Sequence, residues 1–398
     1  MKVVVMGLGY IGLPTAALIA SKGIKVHGVD VNEKIVETIN KGKIHIKEPD
    51  LDNLVKKVVE KNFLIADTKP TEADVYIIAV PTPFKNDYEP DLSYVESAID
   101  MITPYLKEGS LIIIESTSPI GTTEKMYERI VEKRPELKNK IYMAYCPERV
   151  LPGKILYELE HNDRVVGGIN RESAKKAKEF YQIFVKGNIY ETNSKTAEMC
   201  KLVENAYRDV NIAFANELSL ICDKAGIDVW ELIELANKHP RVNILQPGVG
   251  VGGHCIAVDP WFLIKAFPNE SKLMKTAREV NLYKTEWVID RIKKAIKEFE
   301  KNYGRKPKVA CLGLTYKPDV DDLRESPALY ITEKLIEEGY DIYPVDPLVK
   351  DFNKFKVYDL DVVDNADIVV ILVGHKLFKN VDKEKLKNKV ILDFCKVL

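Results

Sequence analysis

Three glycines in six residues, Gly7-Leu8-Gly9-Tyr10-Ile11-Gly12, stand between a short apolar run at 3–6 and a helical pattern over 14–22. Strand, glycine turn, helix is a demanding order. The first glycine makes a turn too tight for a side chain, the second lets the backbone approach a pyrophosphate, and the third lets helix pack closely on strand. The helix that follows turns its unpaired N–H groups and positive dipole end toward the phosphates. Asp30 closes the next apolar run, 18 residues past Gly12. A carboxylate there accepts from a ribose 2′-hydroxyl and repels a 2′-phosphate, so the pattern calls for NAD rather than NADP.

The rest of the N-terminal half repeats the alternation. Buried strands are expected at 25–29, 75–80, 111–114 and 141–145, and helices at 33–40, 51–60, 92–106 and 122–133. A last unit (strand 164–167, helix 171–184, strand 188–190) closes this domain near residue 192. Such alternation predicts a parallel sheet covered on both faces. The middle differs. A helix without Gly or Pro is expected over 194–225, stopped by Gly226, with Asp228 capping the next one. Another long helix is expected over 272–301, and a glycine-dense loop, 240–259, lies between. Long helices of this kind suit a dimer interface. After a polar linker at 301–308 the alternation resumes with strands at 309–312, 342–345, 368–373 and 390–393 and a helix at 328–338. The predicted fold class is α/β: two Rossmann-like parallel-sheet domains (1–192 and 302–398) joined by a central long-helix domain (193–301). The two outer domains echo each other, residues 3–30 against 309–346. Leu314, Thr315 and Tyr316 replace Leu8, Gly9 and Tyr10, so the second copy keeps the pattern but loses glycines that admit a pyrophosphate.

Composition narrows the function. Lys+Arg total 59 and Asp+Glu 60, a balance that argues against binding nucleic acid. The six cysteines, at 146, 200, 222, 255, 311 and 395, include no CxxC pair, so neither a disulfide framework nor a metal cluster is expected, and a reducing cytoplasm is. Residues 3–21 carry no charge and mimic a leader or membrane segment, but Gly7, Gly9, Gly12 and Pro14 interrupt them and the nucleotide-binding reading accounts for each.

Four places offer chemistry. Thr82, in Val80-Pro81-Thr82-Pro83, and Thr117, in Glu115-Ser116-Thr117, follow strand ends on the edge where open α/β sheets bind ligands. Either hydroxyl can hydrogen-bond a cofactor, although Thr-Pro also simply ends strands. Cys255 follows Gly252-Gly253, whose amides are expected to face an oxyanion. A thiolate is a strong nucleophile able to capture an aldehyde, whereas the other five cysteines read as buried apolar residues. His254 reads as structural, and Asp259 as either a base ordering the cysteine's surroundings or a turn and helix cap. Lys201, Asn205 and Arg208 share a helix face at i, i+4 and i+7, which fits a solvated polar stripe or a wall of a cleft. Glu148 and Arg149 follow another strand end and suit a base and an anion ligand.

Together these residues resemble the UDP-sugar and GDP-sugar 6-dehydrogenase family over essentially the whole chain. The motifs are GLGYIGLP, VPTP (80–83), ESTSPIG (115–121), PERVLPG (147–153), KLVENAYRDVNIAFANE (201–217), GGHC (252–255) and LTYKPDVDDLRESP (314–327). The stretch 248–262 is closest to the branch acting on UDP-N-acetyl-D-mannosamine. UDP-glucose enzymes typically carry Lys where Val258 stands and a second Glu where Pro152 stands. The resemblance implies oxidation of a sugar C6 alcohol to a carboxylate with two NAD per turnover, through a Cys255 thiohemiacetal and thioester. It implies that Lys201 stabilises oxyanion charge, that Glu148 and Thr117 handle water or protons, that Asn205 holds a hydroxyl and that Asp259 orders the thiol. It adds Tyr10, Ile11 and Lys34 to Gly7, Gly9, Gly12, Asp30, Thr82 and Thr117 as NAD contacts. For the nucleotide sugar it implies Arg149, Val150, Lys201, Asn205, Arg208, His239, Arg241 and Gly252, with Tyr316, Lys317, Arg324 and Lys396 toward the UDP. Arg241 reaches a neighbouring subunit in relatives, which implies a homodimer or a dimer of dimers. Competing expectations are the same chemistry on another UDP-N-acetylhexosamine or UDP-glucose, a two-electron hydroxyacid dehydrogenase, and a non-enzymatic NAD-binding protein.

Overall fold

The computed structural model describes residues 1–85, 88–151, 153–349 and 352–398. Pro152 lies outside the described residues. Two compact units, Met1–Glu204 and Asn205–Leu398, divide the chain inside one long helix.

The first unit runs β1 (Lys2–Met6), α1 (Gly12–Ser21), β2 (Lys25–Val29), α2 (Glu33–Asn40), α3 (Leu51–Glu60), β3 (Leu64–Asp67), β4 (Val75–Ile78), α4 (Ser93–Ile102), β5 (Leu111–Ile114), α5 (Thr122–Lys133), β6 (Tyr142–Tyr145), α6 (Ile155–His161), β7 (Arg164–Gly168), α7 (Arg171–Tyr181), β8 (Ile189–Asn193) and the start of α8 (Ser194–Ala225). Its eight strands lie in the order β3-β2-β1-β4-β5-β6-β7-β8. Successive residues of a strand face opposite sides, and here both sides are buried. Val3, Val5, Ile77, Ile113 and Ala144 pack toward α1, α3 and α7. Val4, Met6, Ile78, Ile112, Ile114 and Met143 pack toward α4 and α5. That is why these strands read as continuous apolar runs.

The structure departs from the sequence reading in the following features. β7 runs antiparallel to β6, while β8 is parallel to β7. A strand that returns needs no crossover to the far edge, so the segment after β6 is left along the carboxyl edge, where it places Glu148 and Arg149. The helix expected to reach residue 106 stops at Ile102: Thr103 keeps helical backbone, but Pro104 has no N–H to continue the hydrogen-bond ladder, and the chain tightens into a 3₁₀ turn, Thr103–Tyr105. β3 and α6 were not foreseen: the four-residue edge strand alternates buried and exposed too briefly to stand out, and α6 spans only seven residues.

The second unit continues α8 and adds α9 (Val229–Ala236), α10 (Asp259–Ala266), α11 (Lys272–Tyr303), β9 (Val309–Leu312), α12 (Pro327–Glu337), β10 (Ile342–Val345), β11 (Ile368–Ile371) and β12 (Val390–Asp393). The strands form a parallel sheet, β10-β9-β11-β12. Asp228 caps α9 by accepting from Trp230 N–H at 2.8 Å. One face of α11 (Val288, Ile292, Ala295, Ile296 and Phe299) packs on the sheet with α12. Its N-terminal half is tied to α8 by polar groups instead. Asp209 accepts from Arg278 at 2.7 Å and from Asn281 at 2.8 Å, Asn216 donates to Asn281 at 2.9 Å, and Asn216 Oδ1 accepts from Gly248 N–H at 2.9 Å. Asn216, a poor helix former, is therefore a buried cross-link. Asn211 donates to Tyr207 O of its own helix.

Asp209 and Arg278 are both essentially inaccessible to water. Removing one partner strands the other charge. Asp209→Ala is expected to lower stability by ~3–5 kcal/mol, read as an earlier unfolding transition of the full chain in thermal or urea melts.

Candidate active site

In the first unit the glycine turn closes on itself. Gly7 has φ +90°, and its N–H donates to Val29 O at 2.8 Å. A β-carbon on Gly12 would lie 1.8 Å from Gly7 O, whereas one on Gly9 would meet nothing within 4 Å. The first and third glycines thus hold the turn, and the second leaves the backbone approachable. Asp30 closes the cradle: Oδ2 accepts from Leu8 N–H at 3.0 Å and Oδ1 from Asn32 N–H at 2.9 Å. These groups fit a dinucleotide. Tyr10 and Lys34 are exposed and Ile11 half-buried around the same turn, and Thr82 is buried and Thr117 half-buried at the ends of β4 and β5.

The second unit repeats this geometry with one change. Gly313 has φ +98° and donates to Val345 O at 2.7 Å, and Leu314 N–H donates to Asp346 Oδ2 at 2.7 Å. Asp346, however, is covered. His375 Nδ1 accepts from Asp319 N–H, so Nε2 carries the proton and donates to Asp346 at 3.1 Å. His375 and Asp346 are both buried. The carboxylate that would greet a ribose is sealed, and the buried Thr315 stands where Gly9 leaves open space.

Beyond β6, Lys201 Nζ donates to the main-chain oxygen of Glu148 at 2.8 Å, so the structure brings these two predicted residues together. The Glu148 carboxylate turns inward. One oxygen accepts from Arg149 N–H at 2.7 Å and the other lies 3.2 Å from Arg164, an arginine only 4% exposed. Arg149 pairs with Glu204 at 2.8 Å and donates to Asp163 O. Val150 is half-buried beside it. Behind Glu148 lies a set that sequence reasoning missed: Glu115, Tyr181 and Arg164. Tyr181 O–H donates to Glu115 at 2.6 Å, and the Arg164 guanidinium sits 4.8 Å over the Tyr181 ring. Burial pushes the Glu115 carboxyl up to about 7, Glu148 adds to the rise, and Arg164 and Tyr181 oppose it. Glu115 lies inside a motif that was read only for Thr117, and a charged residue at a strand end was the available signal.

In the second unit Cys255 is exposed. Val258 and Asp259 N–H both donate to Cys255 O, forming one turn that leads into α10. Asp259 is buried and accepts from Asn205 at 2.6 Å, which unites two predicted residues and directs Asn205 to a carboxylate. The Gly253 amide donates to Arg324 O at 3.0 Å, so it does not face an oxyanion as expected. Gly252 and Gly253 serve packing instead: a β-carbon on either would come within 2.8 Å of Tyr316. His254 is half-buried, and burial lowers its pKa. Arg324 is fastened to Asp322 at 2.7 Å. Arg208, His239, Arg241 and Lys317 are exposed, and His239 Nδ1 accepts from Arg241 N–H at 3.3 Å. A cavity of about 780 Å³ gathers Tyr316 and Lys396 with Trp230, Gln246 and Lys379, three residues not foreseen. Cys255, Lys317 and Arg324 are not among its lining.

Comparison with known proteins gives one consistent result. The NAD binding domain of the UDP-glucose/GDP-mannose dehydrogenase family matches residues 1–185, its central domain 195–283 and its UDP binding domain 310–398. A UDP-N-acetyl-D-mannosamine dehydrogenase of Campylobacter jejuni is 55% identical over 99% of both chains. An NDP-N-acetyl-D-galactosaminuronic acid dehydrogenase of Ralstonia nicotianae is 49% identical over 98% of this chain and 94% of its own. The solved UDP-D-ManNAc dehydrogenase of Pyrococcus horikoshii superposes with a TM-score of 0.91 at 40% identity, covering 100% of this chain and 96% of that one.

The glycine geometry separates binding from folding. Gly9→Val is expected to weaken NAD binding at least about tenfold, a loss of ~1.4 kcal/mol or more, with an unchanged melting temperature. Gly12→Ala should lower the melting temperature itself. Fluorescence titration with NAD alongside thermal melts distinguishes the two.

Proposed function

Because the chain belongs to the UDP-glucose/GDP-mannose dehydrogenase family, we propose that it oxidises the C6 alcohol of UDP-N-acetyl-D-mannosamine to the uronate. The relatives' names support this substrate. The observation that carries the chemistry is the contrast among six thiols. Burial pushes Cys146 up to about 11 and Cys311 and Cys395 to about 12, and it raises Cys200 and Cys222 as well. Cys255 alone is exposed, four residues before a buried Asp259 held by Asn205.

NAD, when bound, supplies the two-electron acceptor in each of two successive oxidations. Gly7, Gly9, Tyr10, Ile11, Gly12, Asp30, Lys34, Thr82 and Thr117 would hold it. The alcohol loses two electrons and two protons to become an aldehyde. The Cys255 sulfur adds to the aldehyde carbon, whose oxygen gains a proton, to give a thiohemiacetal. That adduct loses two electrons and two protons to become a thioester. Water attacks, the carbon–sulfur bond breaks, and the carboxylate and thiol leave with release of a proton. Covalent capture keeps the reactive aldehyde from escaping. Lys201, steadied by Glu148 O, stabilises oxyanion charge. Glu148 and Thr117 take part in proton transfer, and Asp259 with Asn205 orders the surroundings of the thiol.

Arg149, Val150, Lys201, Asn205, Arg208, His239, Arg241 and Gly252 contact the sugar and its phosphates. The 780 Å³ cavity, within the range of small-ligand sites, receives the nucleotide through Tyr316 and Lys396, with Lys317 and Arg324 at its approach. The functional division is 1–192 for NAD, 193–301 for catalysis and dimerisation, and 302–398 for UDP. An exposed apolar stripe on one face of α8 (Val203, Tyr207, Phe214 and Ile221) supports a homodimer or a dimer of dimers. No helix among the described residues is long and apolar enough to cross a membrane, and we assign the reaction to the cytoplasm. The Ralstonia relative supports a second reading, the same oxidation of an N-acetylgalactosamine nucleotide.

The test is a screen of purified UDP- and GDP-sugars that counts NADH. Two NADH per sugar consumed, no free aldehyde, and loss of the second oxidation in Cys255→Ser are expected. One NADH per sugar with a fully active Cys255→Ser variant refutes the reading.

A further inference from the structure

We propose that Glu115 is a positioning residue for Glu148: Tyr181, which donates to Glu115, also lies under the guanidinium of Arg164 that holds Glu148, and the charge state of Glu115 decides whether Glu148 stays docked on Arg164. The geometry carries this. Glu148 Oε2 lies 3.2 Å from Arg164 in a site only 4% to 8% accessible at the side chains. A carboxylate so held is turned inward, away from any substrate. Glu115 has Tyr181 O–H on one oxygen at 2.6 Å, and its other oxygen has no hydrogen-bond partner among the described residues. Arg164 also donates to Cys146 Sγ at 3.7 Å and to Leu159 O at 3.3 Å, and its Nε has no hydrogen-bond partner among the described residues. The titratable and charged groups facing Glu115 are therefore Arg164 from β7, Tyr181 from α7, and Glu148 and Cys146 from the segment after β6.

When Glu115 is protonated, Arg164 answers one carboxylate and Glu148 stays docked. When Glu115 ionises, two negative charges face one positive charge without water. The two carboxylates then compete for the one guanidinium, and Glu148 is released from it. Glu148 then accepts the proton that water loses on opening the thioester and later releases it to solvent. Burial raises the Glu115 carboxyl to about 7, which puts the change in the working range. Cys146, a thiol pushed up to about 11 by burial, stays protonated throughout. Lys201 is joined to the same device through the main-chain oxygen of Glu148. The activity part of this inference rests on the dehydrogenase reading, whereas the ionisation of Glu115 does not.

Glu115→Gln keeps the shape and the acceptor for Tyr181 but cannot ionise. Turnover at saturating substrates, followed over about pH 5.5 to 9, should rise in wild type through a limb centred near 7. In Glu115→Gln the limb should vanish. Its kcat should match wild type within about twofold below the limb and fall at least about tenfold short above it, with KM for NAD unchanged. Tyr181→Phe removes a donor that favours the ionised carboxyl, so its limb should move to higher pH. If Glu115→Gln does not fold, the Tyr181→Phe shift decides. Infrared difference spectra of the full-length protein should show a protonated-carboxyl band lost through the same pH range and absent in Glu115→Gln. That band needs no turnover, so an inert protein whose band titrates supports the switch and defeats only the dehydrogenase reading. A limb that persists unchanged in Glu115→Gln, or a wild-type band that does not titrate, overturns the proposal.

Discussion

One carboxylate, Asp209, holds the second unit in order. It lies on α8 and binds Arg278 and Asn281 of α11, and Asn281 passes the contact back to Asn216. Asn216 then fixes Gly248, the root of the glycine loop. Apolar packing alone would let two long helices slide, because its energy changes little with register. Directional bonds between groups that have no water to turn to do not allow this. The loop that presents Cys255 therefore starts from a fixed point, and α11 leaves that point to seat the C-terminal sheet.

Much of this architecture is legible in the chain because both sheet faces are buried. Residues 111–114 and 309–312 read as strands from unbroken apolar composition, and 194–225 reads as a helix from the absence of Gly and Pro until Gly226. β2, α2, α3 and α5 have the expected bounds. What escaped notice depends on direction or on distant pairing. Nothing local to residues 164–168 says that β7 runs against β6, since alternation fixes the faces of a strand but not its sense. β3 is too short for its alternation to rise above chance.

The site shows the same division. The glycine turn and Asp30 are legible because backbone geometry demands those residue types at those places. Asn205 and Asp259 were each singled out, but their union across 54 positions was not, because a hydrogen bond between distant residues leaves no periodic trace. Glu148 was legible as an acid at a strand end. Its engagement with Arg164 was not, and that contact changes it from a poised base into a restrained one. The Gly253 amide shows the reverse case: glycine suggested an open donor, but the amide is bonded to Arg324 O and the missing side chain makes room for the Tyr316 ring.

The cover that His375 places over Asp346 has a consequence for competition between ligands. Two halves with a similar turn and carboxylate sit in one polypeptide, and an adenine dinucleotide needs an open ribose acceptor in either. The hydroxyl acceptor of the C-terminal half is plugged from within by His375, in the part of the chain that matches the family's UDP binding domain. Such a cover disfavours competition by the cofactor for the C-terminal half.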